Sequence, residues 1–395
     1  MRKLILLTLL ASFAFAKSYL SSNIATPKNY IMNVEVELCN DSCLSKLLKK
    51  DQIFSFLANS HDQMVDTNLK EAKMIYASYF NLEQASNDSA FRVAMLIPDK
   101  VIGNYAVSTN NAVFSYLLAK NESFELQTYH LENENDDTIA DTLAQIKEDG
   151  FSYVIAPVTL KGAKAIALTN PTINIYFPTI HRDDLLKPTP TLYFGGIDYE
   201  AQIETLLKYS QGYAALFYDP SALGKRLNQV VKNNFDPKWV RFSTSISRKK
   251  SNLKRYLKSN ELLQNGTIFI NTSTVRSGIV LSQLTLYDIE PAAILSTQIN
   301  FNPLLLSITQ EKDRRNMFIA NSIEGHNSVF IEANKLLDND IEYDRINYAT
   351  MVGVDYFLSA ATSEKREYTE DIKENQVIYP IAIYKPTRFG FVRVD

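Results

Sequence analysis

From Phe91 onward, short apolar runs alternate with stretches whose apolar residues recur at helical spacing, the pattern of buried strands alternating with amphipathic helices. FRVAMLIP reads as a buried strand, and Tyr105 to Ala119 as a helix facing inward through Ala106, Ala112, Val113, Tyr116 and Leu117. A strand over Phe124–Leu131 follows, then a helix opening near Asp137 with Ile139, Leu143 and Ile146 inward and Gly150 as its stop. YVIAP, KGAKAIALTN and INIYFP supply a third strand, a third helix and a fourth strand. Parallel neighbours need crossover helices, so this order predicts a parallel sheet with helices on both faces. After Pro188 and Pro190 the rhythm restarts with LYFGG, the helix DYEAQIETLLKYSQ and the strand YAALFY. SALGKRLNQVVKNN, SNLKRYLKSNELL and VRSGIVLSQLTLYD read as helices between the strands WVRFS, TIFIN, PAAILST and MFIAN. A helix near residues 345–361 and a hairpin of VIYPIAIY with FGFVRV, turning around Lys385 to Arg388, end the chain.

Ahead of this region the pattern differs. Ile31, Val34, Val36 and Leu38 suggest a short strand, and residues 43–82 read as two or three amphipathic helices. Leu44, Leu47, Leu48, Ile53, Phe54, Phe56 and Leu57 form one apolar face; Ala72, Ile75, Tyr76 and Tyr79 form another. EQASND, Glu83 to Asp88, is a polar linker. At the start, Arg2 and Lys3 precede an apolar run from Leu4 to Phe15, and Ala14 and Ala16 frame a small-residue cleavage site, as in a secretory signal peptide. Export places Cys39 and Cys43, the only two cysteines, where thiols oxidise, and the segment ELCNDSCLSKLL is expected to hold a local disulfide.

The fold class predicted is α/β: two doubly wound parallel-sheet lobes preceded by a small, mainly helical module. The divisions are a leader at 1–16, the module at 17–88, a first lobe from 89–196 and about 325–395, and a second lobe from 197–324. Open parallel sheets bind ligands beyond the carboxyl ends of their strands. In the first lobe that places Asp99, Lys100, Tyr105, Thr159 and Lys161 at a cleft. In the second it places Asp198, Tyr199, Asp219, Ser221, Asn271, Thr272, Gln298 and Asn300 there.

Charge and chemistry narrow the function. The chain has 41 basic and 44 acidic side chains, no global positive field to gather nucleic acid, and only 12 glycines. The usual local signatures of serine hydrolases, zinc proteases, P-loops and dinucleotide sites are absent from the sequence. Ser247-x-x-Lys250 and Ser251-x-x-Lys254 match S-x-x-K only inside the basic run SRKKSNLKR. His61, His130, His181 and His326 are scattered, with none paired at metal-ligand spacing. His181 is a boundary histidine at the cleft edge, and His326 lies near an expected crossing between lobes. Arg248, Lys249, Lys250, Lys254, Arg255 and Lys258 form a dense basic cluster, and Glu132, Glu134, Asp136 and Asp137 an acidic run; both read first as solvated faces. Tyr193, Tyr199, Tyr218 and Tyr287 read mainly as core or boundary aromatics. N-x-[ST] triplets at Asn40, Asn87, Asn121, Asn265 and Asn271 are what an Asn- and Ser-rich chain yields by chance. No cofactor, metal or catalytic group is expected.

FRVAMLIPDKVIGNYA resembles the opening strand and loop of type I periplasmic binding proteins, and DTLAQIKEDGFSYVIAPVTLKGAKAIAL resembles their second unit. Within that superfamily, PVTLKGAKAI with NPTINIYFPTIHR, LYFGGIDYEAQIETLL and ALFYDPSALGKRLNQV resemble the receptor-like domain of the lipoprotein activators of penicillin-binding peptidoglycan synthases. The likeness covers about residues 90–360. The lipid-bearing cysteine of those activators is absent, and the opening module is shorter than their helical-repeat domain. Thr159-Leu160-Lys161 stands where amino-acid receptors of the superfamily present hydroxyls and main-chain amides to an α-carboxylate. The resemblance implies a non-enzymatic periplasmic scaffold or activator, soluble after loss of its leader, whose partner is an envelope or membrane-associated protein complex. The other expectation is a solute-binding protein delivering an amino acid or similar polar ligand to an ABC importer. A hydrolase or transferase ranks behind both.

Overall fold

The computed structural model describes residues 31, 39–61, 64–80, 82, 91–120, 123–186, 188–235, 238–247, 252–258, 260–324 and 327–395. The expected leader, the strand drawn through Val34, Val36 and Leu38, the linker Glu83 to Asp88, Arg248 to Lys250 and His326 lie outside the described residues. The chain divides into two compact units, Met1–Ser89 and Ala90–Asp395.

In the first unit, helices α1 (Asp41–Lys49), α2 (Ile53–Asn59) and α3 (Thr67–Tyr79) gather Leu44, Phe56, Leu57, Met64, Leu69 and Ala77 around Cys39. Cys39 and Cys43 are joined as a disulfide. Asn40 caps α1 by accepting the Cys43 N–H at 3.0 Å. Asp41 then accepts the N–H groups of Val65 and Asp66 at 3.0 and 2.9 Å, which ties the turn before α3 to the start of α1. Phe54, Ile75 and Tyr79, read as inward from their spacing, are exposed, because three short helices enclose only one shared side.

In the second unit each lobe grows from one parallel sheet. The first lobe runs β1 (Phe91–Ile97), α4 (Asp99–Ile102), α5 (Tyr105–Lys120), β2 (Phe124–His130), α6 (Asp136–Glu148), β3 (Tyr153–Ile155), α7 (Leu160–Leu168), β4 (Asn174–Phe177) and β5 (Leu192–Phe194). The second runs α8 (Tyr199–Leu207), β6 (Ala214–Tyr218), α9 (Ala222–Asn234), β7 (Val240–Ser245), α10 (Lys254–Leu257), β8 (Thr267–Asn271), α11 (Thr274–Leu286), β9 (Ala293–Ser296), α12 (Pro303–Ile308) and β10 (Met317–Asn321). The parallel cores are ordered β2-β1-β3-β4-β5 and β7-β6-β8-β9-β10. The two lobes therefore repeat one doubly wound topology.

Strand alternation decides which side chain serves which face. Val93, Met95 and Ile97 of β1 join one core, while Ala94 and Leu96 join the core on the opposite face. The same split in the second lobe sends Ala215, Phe217, Ile268 and Ile270 one way and Ala214, Leu216 and Phe269 the other. Strands buried on both faces lose the polar alternation of a one-sided sheet, which is why these segments read as continuous apolar runs.

After β10 the chain returns to the first lobe as α13 (Ser328–Lys335) and α14 (Arg345–Thr362), which pack on α5. β11 (Asp371–Lys373) and β12 (Gln376–Ile378) then extend the first sheet, and β13 (Ala382–Pro386) and β14 (Phe391–Arg393) extend the second. This corrects the sequence expectation at the C-terminus. VIYPIAIY is not one strand of the first lobe: it divides at Pro380, which has no N–H to give a ladder, so residues 382–393 belong to the second sheet. A second difference lies at SNLKRYLKSNELL, which forms only α10 and a 3-10 turn at Glu261–Leu263. The Asn260 amide donates to the Tyr256 carbonyl at 2.8 Å and so competes with the backbone for the acceptor that would carry the helix on.

The lobes are thus joined by three chain crossings, after β5, β10 and β12, and side chains of α14, of β12 and of the segment after β12 hold carbonyls of the first two. Tyr379 donates to the Gly195 carbonyl at 2.9 Å, Gln376 to the Gly196 carbonyl at 3.0 Å, and Tyr348 to the Glu324 carbonyl at 2.7 Å. Tyr176, fully buried, donates to the Ala349 carbonyl of α14 at 2.8 Å. A Cβ on Gly195 or Gly353 would overlap Tyr176, so glycine is required where the crossing and α14 approach that ring. Tyr348 also meets the Glu370 carboxyl. The Tyr348 hydroxyl is shared between the Glu324 carbonyl and the Glu370 carboxyl, and its hydrogen bond to the acid favours the carboxylate. Burial outweighs that hydrogen bond and pushes the Glu370 carboxyl above the ordinary carboxylate range.

Two outcomes follow. Gly353→Ala overpacks the ring of Tyr176 and is expected to cost about 1–3 kcal/mol, read as a lower denaturant midpoint; an unchanged midpoint contradicts the packing. Glu370 with a raised folded pKa contributes stability below the ordinary carboxylate pKa that is lost as pH rises through the folded value. Glu370→Gln should therefore match the parent in acid and melt higher at neutral pH; a lower neutral melting point contradicts the assignment.

Candidate functional site

In the 2-1-3-4-5 strand order, the crevice lies at the switch point between the first and third strands. In this chain that means the ends of β1 and β3 in one lobe and of β6 and β8 in the other. The carboxyl-end segments of the lobes meet across it: Arg226 of α9 pairs with Asp184, beyond β4, at 2.5 Å. Tyr105, at the start of α5, and Tyr199, at the start of α8, come close enough to interact through Arg345.

On the first-lobe wall, Asp99 holds His130 Nδ1 at 2.6 Å and Lys100 faces Glu132 at 3.8 Å, both pairs open to solvent. Thr159 donates its N–H to Glu134 at 2.7 Å and its hydroxyl to the other oxygen of the same carboxylate. Glu134 is only 3% exposed. The acidic run expected as a solvated face is broken there, since one of its members turns inward to a loop that offers two donors. Lys161 reaches Asn135 at 2.8 Å. His181 caps the turn that leads to Asp184, accepting the Asp183 N–H at 3.3 Å, a boundary role.

On the second-lobe wall, Asp198 and Ser221 cap their helices, accepting from Ala201 N–H at 2.9 Å and Gly224 N–H at 3.1 Å. Asp219 accepts the Ser273 N–H at 2.9 Å and pairs with Arg276. Asn271, Thr272, Gln298 and Asn300 are buried inside the lobe instead of lining a surface. Thr272 meets Ser277 at 2.8 Å, and Asn300 donates to the Ile270 carbonyl at 3.2 Å and to Ser296 at 2.8 Å. Gln298 accepts from Gln202 at 3.1 Å and from the Ser322 N–H at 2.9 Å. These four brace the strand ends from within. Residues just past a strand end alternate inward and outward like the strand itself, so sequence position alone does not separate brace from wall.

The structure therefore brings Tyr105 and Tyr199 together and spends the polar groups of Thr159, Asp219, Thr272 and Asn300 internally. It adds residues the strand-end rule misses: Arg345, which opens α14 after the chain has returned from the second lobe, and the pair Arg226 and Asp184. The signal in sequence was the Asp344-Arg345 start of a long apolar helix. Among the described residues no group of His, Cys, Asp and Glu is arranged to hold a metal ion, and no helix is long and apolar enough to cross a membrane. Lys254, Arg255 and Lys258 line an open surface hollow of about 590 Å³ with Asn252. Tyr193 packs on Tyr356 and Phe357, and Tyr287 borders the second-lobe core.

No protein-family model matches the chain, and no curated protein does. Solved structures share its fold. A leucine-binding protein from Thermotoga maritima is 14% identical, with a TM-score of 0.56 over 78% of this chain and 98% of its own. A branched-chain amino acid transporter substrate-binding protein from Streptococcus pneumoniae, solved with isoleucine, is 10% identical, with a TM-score of 0.56 over 77% of this chain and 100% of its own. A periplasmic ligand-binding protein of a branched-chain amino acid ABC transporter from Burkholderia xenovorans is 9% identical, with a TM-score of 0.58 over 77% and 94%. Two parallel-dominant sheets with interleaved helices, joined by three crossings, give this chain the bilobed α/β fold of the type I periplasmic binding proteins.

Proposed function

We propose that this protein is an exported, non-enzymatic binding protein that holds a small polar ligand, an amino acid or a close relative, between its two lobes and presents it to an ABC importer. The observation that carries this reading is the repeated doubly wound lobe with its switch points brought together: Arg226 reaches Asp184 and Tyr105 approaches Tyr199 across the cleft. The neighbours in fold bind leucine or isoleucine or serve branched-chain amino acid transporters, which supports a ligand of that size. Lobes joined by crossing segments suit hinge closure around a ligand.

A second reading, the envelope scaffold or activator, is favoured by one specific observation. The donors of Thr159 that would meet an amino acid's α-carboxylate in receptors of this superfamily are held by Glu134. If the cleft binds an amino acid, its carboxylate sits elsewhere; if the cleft binds nothing, the lobes serve as a surface for a protein partner.

A thermal-shift panel on the mature protein separates the two. Under the first reading one or more free amino acids raise the melting point, with about 2.7 kcal/mol of stabilisation at a hundredfold excess over Kd. A panel silent for every amino acid, with an envelope protein co-purifying, replaces it with the second.

A further inference from the structure

We propose that Arg345, with the hydroxyls of Tyr105 and Tyr199, forms the seat for the carboxylate of the cleft ligand. The inference rests on the ligand-binding reading above and specifies the chemistry of its site.

Arg345 makes no ion pair among the described residues. Its neighbour Asp344 is engaged as the cap of α14, accepting the N–H groups of Ile346 and Asn347 at 2.8 and 3.2 Å. The guanidinium, part-buried, instead faces two tyrosines that come from different lobes. The hydroxyl of Tyr199 is buried, it faces the Arg345 guanidinium, and no acceptor among the described residues takes its proton. Burial pushes that phenol's pKa up, so it is neutral and carries its proton. The phenol oxygen accepts from the guanidinium, which leaves the phenol O–H and the other guanidinium N–H groups as donors, and an anionic oxygen satisfies both. Buried polar groups are paired in nearly all native structures, which makes the orphan hydroxyl a mark of an occupant.

Two further features agree. Arg345 is the first residue of an 18-residue helix, whose N-terminal dipole favours an anion. The rival position for a carboxylate, the N–H and hydroxyl of Thr159, is already filled by Glu134. A planar guanidinium fork matches a carboxylate in two parallel hydrogen bonds. Because Tyr105 and Tyr199 stand on opposite lobes, an anion between them also bridges the cleft.

The test is calorimetric titration of the full-length mature protein with four sets of probes: free amino acids, their decarboxylated amines, short mono- and dicarboxylates, and inorganic phosphate. The proposal expects an amino acid or carboxylate to bind and its matched amine not to. It also expects Arg345→Met to weaken the binding by at least about tenfold, Tyr199→Phe by less, and Arg345→Lys to restore part of it. Unchanged melting of the free variants establishes that they fold; should Arg345→Met fail to fold, the Arg345→Lys and Tyr199→Phe titrations carry the same comparison. A carboxylate that binds Arg345→Met as tightly as the parent, an amine that binds as tightly as its acid, or preference for phosphate overturns the seat while leaving ligand binding intact. Silence of the parent protein towards every probe overturns the ligand-binding reading and the seat with it.

Discussion

Three backbone carbonyls, at Gly195, Gly196 and Glu324, govern how the two lobes meet. Each lies in a segment that leaves one sheet for the other lobe, and they accept hydrogen bonds from Tyr379 just past β12, Gln376 of β12 and Tyr348 of α14. A crossing segment belongs to neither sheet, so its polar groups have no ladder to join and must find side chains or water. Tyr176 completes the arrangement by filling the space that glycines at 195 and 353 leave open. Everything proposed about the cleft depends on this junction, because it fixes which strand ends oppose one another.

The cleft it creates is chemically uneven. The loop after β3 gives both donors of Thr159 to an internal carboxylate, Glu134. At the start of α14 the opposite imbalance holds: Arg345 faces Tyr199 without a carboxylate partner among the described residues, and the Tyr199 proton has no acceptor. The proposed seat at Arg345 follows from that contrast.

Much of the fold was legible in the sequence because strands buried on both faces and helices with one apolar stripe leave different periodicities. TIFIN and FRVAMLI are continuous apolar runs, and Ile139, Leu143 and Ile146 mark a helix. The end of the chain was not legible, because VIYPIAIY looks like one strand until Pro380 is seen to sit between two sheets. The site was less readable still. Asn300 and Thr272 occupy the same strand-end positions as wall residues, yet they turn inward, and only coordinates reveal which way a residue beyond a strand faces. Arg345 is far in sequence from every strand end and reaches the cleft because α14 returns to the first lobe pointing its N-terminus there. Glu134 looked like one of several solvated acids, and its burial follows from a partner, Thr159, 25 residues away.

A crystal structure of the protein grown with the amino acid it binds tests the central claim most directly. The account predicts the ligand carboxylate on the Arg345 guanidinium between Tyr105 and Tyr199, with Glu134 still bound to Thr159. A carboxylate on Thr159 with Glu134 displaced, or a ligand held away from both lobes' strand ends, would contradict it.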